Sequence, residues 1–460
     1  MQPDLLIWVL LALSATAFYL GRNRAFQSSG GHIRHLHSIP AYYGYYVALW
    51  CGLPALLLVI LWLVLDDKLI LYWIVSQLPD DIRRLPPDQL SLVINQIYNL
   101  MAGEVNPKNL DPALSAAAEH YRQLKEIGYR ALTVLALATA TAGLTFSYRH
   151  ISPSLRARNT VEKAIRYALI LSSTLAIFVT IGIVLSVLFE TLRFFARIPL
   201  TEFLFGLKWS PQMAIRADQV GASGAFGFIP LLTGTLLISA IAMLVATPIG
   251  LLAAIYLSEY ANSHTRSFVK PLLEILAGIP TVVYGFFAAL VVAPMLRDAG
   301  VALGLRVSGE SALAAGLVMG VMIIPFVSSL TDDALTAVPR ALREGAYGLG
   351  ATQAETITGV ILPAALPGIV SGLLLAVSRA IGETMIVVMA AGMTANLTLN
   401  PLESVTTITV QIVALLVGDQ EFDSPKTLAA FALGLTLFLI TLALNLIALH
   451  VVRKYREQYE

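Results

Sequence analysis

Nine runs of apolar residues, most near the roughly 20 residues that a helix needs to cross a bilayer, punctuate the chain. They occupy residues 5–20, 45–65, 129–148, 167–189, 233–257, 272–295, 312–330, 369–391 and 428–451. The first is marginal in length. The polar stretches between them differ in charge. Arg22, Arg24 and Arg34 follow the first run, and Arg149, Arg156, Arg158, Lys163 and Arg166 lie between the third and fourth. Arg266 and Lys270, then Arg340 and Arg343, mark two further basic loops, and the tail carries Arg453, Lys454 and Arg456. Basic loops remain on the cytoplasmic side, so the pattern predicts an outside N-terminus and a cytoplasmic C-terminus. The loop after residue 391, with Glu403, Asp419, Glu421 and Asp423 against Lys426, then falls outside.

This pattern implies a polytopic, all-α integral membrane protein, and the composition agrees. Of 460 residues, 57% are hydrophobic and 13% charged, against about 25% charged in soluble domains. The net charge of +1 gives no argument for a nucleic-acid partner. The single cysteine, Cys51, excludes an intrachain disulfide framework. The first apolar run has no basic residues before it and no convincing cleavage site, so we expect it to be a retained span rather than a signal peptide.

Three segments follow from the spacing of the runs. Residues 1–160 hold three spans and an outside insert at 66–128, with short helices expected at 87–101 and 112–127. Residues 161–229 hold a fourth span and an aromatic, basic stretch at 191–211, expected as an interfacial helix. Residues 230–457 hold the remaining spans around a cytoplasmic loop at 331–366. The apolar run 405–417 is too short to cross and is expected to be re-entrant or interfacial.

No catalytic apparatus is legible, and we expect no enzyme activity, no cofactor and no metal. The glycines Gly345, Gly348 and Gly350 lack the Lys-Ser/Thr that completes a phosphate-binding loop. His32, His35 and His37 match no zinc spacing. Gly316 and Gly320 form a G-x-x-x-G that allows close helix contact and is a candidate subunit seam. Pro280 removes a backbone hydrogen bond within the sixth run, as happens where a helix borders protein or a cavity. Glu274, one turn after Lys270, suggests an ion pair at the membrane surface.

Two features carry the functional reading. Arg379 and Glu383, four apart in the eighth apolar run, are expected on one helix face. Charges inside a span usually face a bundle interior or a water-filled cavity, and an Arg binds phosphate oxygens in pairs. The two residues therefore read either as part of a translocation path, with Thr384 beside them, or as a structural ion pair. The other feature is the loop 331–366. It holds a short amphipathic segment whose small residues, Gly345 and Ala346, allow a soluble partner to approach closely. An ordinary surface helix has the same composition.

That loop resembles the coupling loop of ABC importer permeases, with the pattern E-A-A, three residues, G, nine residues, I-x-L-P. Here it reads Glu344-Gly345-Ala346, Gly350 and Val360-Ile361-Leu362-Pro363, with Gly345 and Val360 departing from the pattern. The resemblance implies the six-helix type I importer transmembrane domain, here with about three extra spans at the N-terminus. It also implies ATPase coupling through Glu344, Gly345, Ala346, Gly350, Leu362 and Pro363. The stretch Arg379-Ala380-Ile381-Gly382-Glu383-Thr384-Met385 is similar to the R-A-[IL]-G-E-T of phosphate permeases, and Met385 favours the PstC type over the PstA type. Residues 203–211 and 276–285 are similar to the same family. The likeness covers about 166–456 and implies nothing about 1–160.

A subunit of this kind is implied to pair with a PstA-type permease and to dock a cytoplasmic ATPase dimer. It would receive phosphate from a periplasmic binding protein, in a bacterial inner membrane whose lipid surrounds it. The mechanism implied is alternating access. Permeases for sulfate, molybdate or phosphonate share the coupling loop and remain open on the residues, as do a secondary transporter and a sensor.

Overall fold

The computed structural model describes residues 3–78, 112–211, 224–417 and 424–456, with positions 82, 90, 93–96, 98 and 100. Among them are nine helices long and apolar enough to cross a membrane, matching the nine apolar runs. The chain divides into two compact units, Met1–Phe178 and Val179–Glu460.

The first unit is built from α1 (Pro3–Ser28), α2 (Pro40–Gln77), α3 (Pro112–Arg149) and the start of α4 (Ala157–Phe195). Its core holds Leu6, Leu10, Ala17, Tyr43, Val47 and Cys51. Glycine permits the closest approaches: a Cβ on Gly143 would stand 2.0 Å from the carbonyl oxygen of Trp50. At 38 residues each, α2 and α3 are about 57 Å long at 1.5 Å per residue, well beyond the ~30 Å hydrocarbon layer. The insert expected to begin at residue 66 is therefore helical at both ends. There Lys125 and Asp67 pair across α2 and α3 at 2.8 Å. The short helix expected at 112–127 is the first part of α3. Most of the one expected at 87–101 lies outside the described residues.

The second unit begins with the rest of α4, which continues through residue 195. The stretch 191–211 is thus not one interfacial helix. It comprises the end of α4, a six-residue helix α5 (Leu200–Phe205) and a strand β1 (Trp209–Ser210). That strand pairs antiparallel with β2 (Ala225–Phe226), Trp209 opposite Phe226. Phe194, Phe203 and Phe226 are fully buried against one another, and this packing is what folds the segment.

The core of this unit is the parallel pair α6 (Ile229–Ile255), continued by a π-helical turn at Tyr256–Tyr260, and α10 (Ala312–Thr336), the most buried span. Gly316 and Gly320 sit in this contact, where an added Cβ would meet Ile241 at 2.6 Å and the carbonyl oxygen of Ala242 at 2.9 Å. The G-x-x-x-G is therefore an intrachain seam.

Between them, the expected sixth span is broken. An amphipathic helix α7 (Ser263–Ala277) ends at Gly278. Pro280 then caps α8 (Thr281–Phe287), which continues through a π-helical turn (Ala288–Val292) into α9 (Ala293–Ala302). Apolarity continues across the break, but the Gly-Ile-Pro sequence does not sustain a helix.

The cytoplasmic loop of the sequence reading forms α11 (Arg340–Gly348), α12 (Gln353–Thr356) and a π-helical turn (Ile357–Ile361) leading into α13 (Leu362–Ile381). The expected eighth span also breaks, after Ile381. A short α14 (Met385–Ala390) follows, and then a segment buried only at its two ends, 391–392 and 405–407, leads into α15 (Ile408–Leu416). This nine-residue helix is too short to cross, as its apolar run predicts. The last span is α16 (Pro425–Arg456).

Candidate functional site

Two places in the second unit combine polar chemistry with a reason for it. The first is a cavity of about 260 Å³ lined by α7, α10 and Arg379 of α13. Helices α13 and α10 run antiparallel in tight register. A Cβ on Gly368 would meet Ala334 at 2.8 Å, and one on Gly372 would meet Leu330 at 3.0 Å. Continuing that register brings Arg379 level with the Ile323–Phe326 turn of α10. Its guanidinium indeed lies 5.5 Å from the centre of the Phe326 ring. Phe326 is near the middle of the 25-residue α10, so the charge sits at mid-depth of the most buried span.

Among the described residues, Arg379 forms no ion pair. The expected partner, Glu383, lies beyond the helix end. Gly382 closes α13, and the Glu383 carboxylate turns to the next helix, where Oε1 accepts the backbone N–H groups of Met385 at 3.1 Å and Ile386 at 3.5 Å. The expected shared face does not exist, because the helix that would provide it stops between the two residues. Thr384 is the N-cap of α14, with its hydroxyl donating to the Gly382 carbonyl at 3.3 Å. Thr409 fixes the same turn by donating to the Glu383 carbonyl at 2.8 Å.

Below Arg379 the cavity wall carries Ser328, Ser329, Lys270, Glu274 and Asp332. The Asp332 side chain is 8% exposed and accepts from Arg266 at 2.9 and 3.0 Å and from Lys270 at 2.9 Å. Arg266 and Lys270 are one turn apart on α7, so this short helix is clamped to α10 by a single carboxylate. Lys270 thus pairs across helices rather than with Glu274. Local reading missed the clamp because Asp332 lies 66 and 62 residues from its partners. Its only local signal was a carboxylate at the end of an apolar run.

The second place is the surface around α11. None of its nine residues is buried. Glu344 is exposed and makes no ion pair among the described residues, and an added Cβ on Gly345 would meet nothing within 4 Å. The exposed face is apolar in a way the sequence reading did not single out. Leu342 and Tyr347 are exposed, and Leu349 is 92% exposed. Gly350, at φ +89°, ends the helix with the left-handed turn that glycine adopts freely, and Ala351 donates back to the Ala346 carbonyl at 3.1 Å. Beyond it, Thr352 and Glu355 form a capping box. Leu362 is half-buried against Ile357, Ile361 and Ala365, and Pro363 occupies the first turn of α13. An exposed, apolar, glycine-rich helix on a rigid base suits docking into a groove of a soluble partner.

Comparison with known proteins adds the following. A family model described as binding-protein-dependent transport system inner membrane component matches residues 246–457. A second, described as phosphate ATP-binding cassette transporter, matches residues 7–179 and so ends at the boundary between the two compact units. The first three spans, which no motif had placed, thus carry a family likeness of their own. The probable phosphate transport system permease protein PstC of Methanocaldococcus jannaschii is 31% identical over 294 residues, covering 61% of this chain and 92% of that protein. The probable ABC transporter permease protein YqgH of Bacillus subtilis is 30% identical over 243 residues, covering 52% and 74%. In a solved bacterial alginate ABC transporter, one chain is 20% identical with a TM-score of 0.44, over 65% of this chain and 96% of that one.

Proposed function

The chain belongs to the PstC-type permease family of phosphate transport systems, and we propose that Arg379 receives the phosphate while the surface of α11 takes the stroke of a cytoplasmic ATPase. It is a multi-pass membrane protein and the permease subunit of a phosphate ABC importer. The observation that supports the site is the position of Arg379. Its guanidinium has no carboxylate partner among the described residues, stands at mid-depth on the Phe326 ring, and faces a cavity of about 260 Å³. Its planar fork suits an oxyanion. Ser328 and Ser329 lie on the same wall as further hydrogen-bonding groups. Glu383 and Thr384 hold the turn beyond the Arg and thereby fix the outer end of the path.

In the working cycle we infer, the partners are a PstA-type permease, two ATPase subunits and a periplasmic phosphate-binding protein. ATP binding draws the coupling surfaces together and opens the spans outward to accept phosphate. Hydrolysis returns them inward, and phosphate passes Arg379 toward the cytoplasm. High affinity resides in the binding protein, so the path needs only weak sites that release their cargo. The orientation follows the basic loops: N-terminus outside, C-terminus in the cytoplasm of a bacterial inner membrane.

Uptake in vesicles containing the whole complex tests this reading. We expect labelled phosphate to accumulate only with ATP, the ATPase and the loaded binding protein, and to be unaffected by a hundredfold excess of sulfate. Accumulation without the ATPase would indicate a secondary transporter. Competition by sulfate would reassign the substrate to another oxyanion.

A further inference from the structure

We propose that Arg343 and Glu259 form a latch through which the motion of α11 enters the membrane domain. This rests on the coupling role proposed for α11, but the residues involved lie outside its docking face. The question it answers is mechanical. With no buried residue, α11 has little grip on the rest of the chain, yet a coupling element must transmit force in both directions.

Arg343 supplies that grip. It is half-buried, and its Nη2 donates to the Leu335 carbonyl at 2.7 Å, in the last turns of α10. The same nitrogen lies 3.1 Å from Oε1 of Glu259, in the π-helical turn that ends α6. The Glu259 side chain is only 6% exposed. Ser258 donates to the same Oε1 at 3.1 Å, and Gln353 of α12 donates to the Glu259 backbone carbonyl at 2.6 Å. The elements on both sides of the Gly350 turn therefore converge on Glu259, one through its side chain and one through its backbone. Below the latch, Ala254, Leu335, Val338, Ile357 and Ile361 form a continuous apolar cluster. A push on α11 consequently reaches α6 and α10 together, and α10 is the span that carries Phe326 beneath Arg379.

The chemistry suits transmission rather than simple stability. A buried ion pair adds little net stability, because desolvation offsets attraction, but it holds a defined geometry and is costly to break on one side only. Arg343 also keeps a donor in reserve, since its Nε is buried with no acceptor. A small rotation under load can bring that nitrogen onto the carboxylate and tighten the contact. Arg343 and Glu259 are thus positioning residues. They touch neither phosphate nor nucleotide.

The test uses the assembled complex with its ATPase and binding protein. Arg343→Gln and Glu259→Gln should still assemble, because Leu342, Tyr347 and Leu349 are unchanged. We expect phosphate moved per ATP hydrolysed to fall at least tenfold, and hydrolysis to stop responding to the loaded binding protein. Rescue provides the second arm. In a Cys51→Ser background, Arg343→Cys with Glu259→Cys should be uncoupled when reduced and regain at least half of wild-type uptake when a short bifunctional thiol reagent bridges the pair. A wild-type ratio in both Gln variants would overturn the latch. So would a bridged protein that hydrolyses ATP but no longer transports, because the contact would then have to open in every cycle. Failure of the wild-type complex to move phosphate would count against the substrate assignment alone, because the stimulation of hydrolysis still reads the latch.

Discussion

Glu383 Oε1 accepts the backbone N–H of Met385 at 3.1 Å, so the carboxylate opens α14 instead of neutralising Arg379. A helix N-terminus favours negative charge and needs acceptors for its free N–H groups. Glu383→Gln keeps an acceptor oxygen and loses only the charge. We expect it to retain uptake within about threefold of wild type, the effect of a few tenths of a kcal/mol from the helix dipole. Glu383→Ala removes the acceptor and should cost about 1 kcal/mol of local stability, as other cap deletions do. Uptake by the two variants in parallel checks this. A Gln variant as impaired as the Ala variant would show that the negative charge itself is required.

The Asp332 clamp predicts an asymmetry. Its carboxylate is 8% exposed, whereas Arg266 and Lys270 are 37% and 39% exposed. Asp332→Asn leaves two cations that can turn to water, and we expect a loss of about 1 kcal/mol, in the range of partly exposed pairs. Arg266→Gln combined with Lys270→Gln leaves a buried carboxylate with no cation, and should cost about 3 kcal/mol or more. Thermal unfolding in detergent ranks the two. Equal losses would mean that solvent reaches Asp332 freely.

Whatever depends on continuous apolar runs was legible in the sequence: nine spans, a run of nine helical residues too short to cross, and an amphipathic loop segment. The two broken spans were read as continuous because apolar residues flank both Gly278-Ile279-Pro280 and Gly382-Glu383-Thr384, so each break lies inside an apolar run. The glycine and proline at these points were visible, but whether a helix bends or stops there depends on what receives its free ends. Thr409 and Glu383 settle that for the second break. The Arg266–Asp332 and Arg343–Glu259 pairs join residues 66 and 84 apart in the chain, and no local pattern specifies them. The aromatic stretch 191–211 misled for a related reason. Aromatic residues suit a membrane surface, but here Phe194 packs on both Phe203 and the distant Phe226.

The open space over Gly345 makes a clean probe of docking. A Cβ at residue 345 would meet nothing within 4 Å, so the stability of Gly345→Trp should stay within about 0.5 kcal/mol of wild type, as for ordinary surface changes. The Trp ring should block a close-packed partner. We expect the ATPase to be lost on co-purification, and Glu344→Arg to weaken it in the same direction. A Trp variant that co-purifies and couples normally would remove α11 from the interface.

Orientation is testable from the insert between α2 and α3. On a Cys51→Ser background, Asn95→Cys should react with an impermeant maleimide only from outside, whereas Glu344→Cys should react only from the cytoplasm, as the basic loops dictate. Labelling of residue 95 from the cytoplasm alone would reverse the first three spans.

Arg379 bears the heaviest prediction. If its guanidinium grips phosphate, each charge-assisted hydrogen bond lost is worth about 1.5–3 kcal/mol, and a two-pronged contact about twice that. Arg379→Ala should therefore reduce uptake by at least a hundredfold, since 1.4 kcal/mol is a factor of about ten. The complex should still assemble and bind ATP. Arg379→Lys keeps the charge but not the fork, and should recover little. Phe326→Leu provides an independent check. It removes the ring that holds the guanidinium 5.5 Å from its centre, a contact worth about 0.5–2 kcal/mol, and leaves the charge in place. We expect it to loosen the Arg and lower uptake several-fold, well short of the Ala variant. Exchanging the charges, Arg379→Glu with Glu383→Arg, should fail completely. It puts a carboxylate on the cavity wall and a cation at the N-terminus of α14, where the helix dipole opposes it. Near-normal phosphate uptake by Arg379→Ala or by the exchanged variant would remove Arg379 from the path and leave Lys270 as the cation on the same wall.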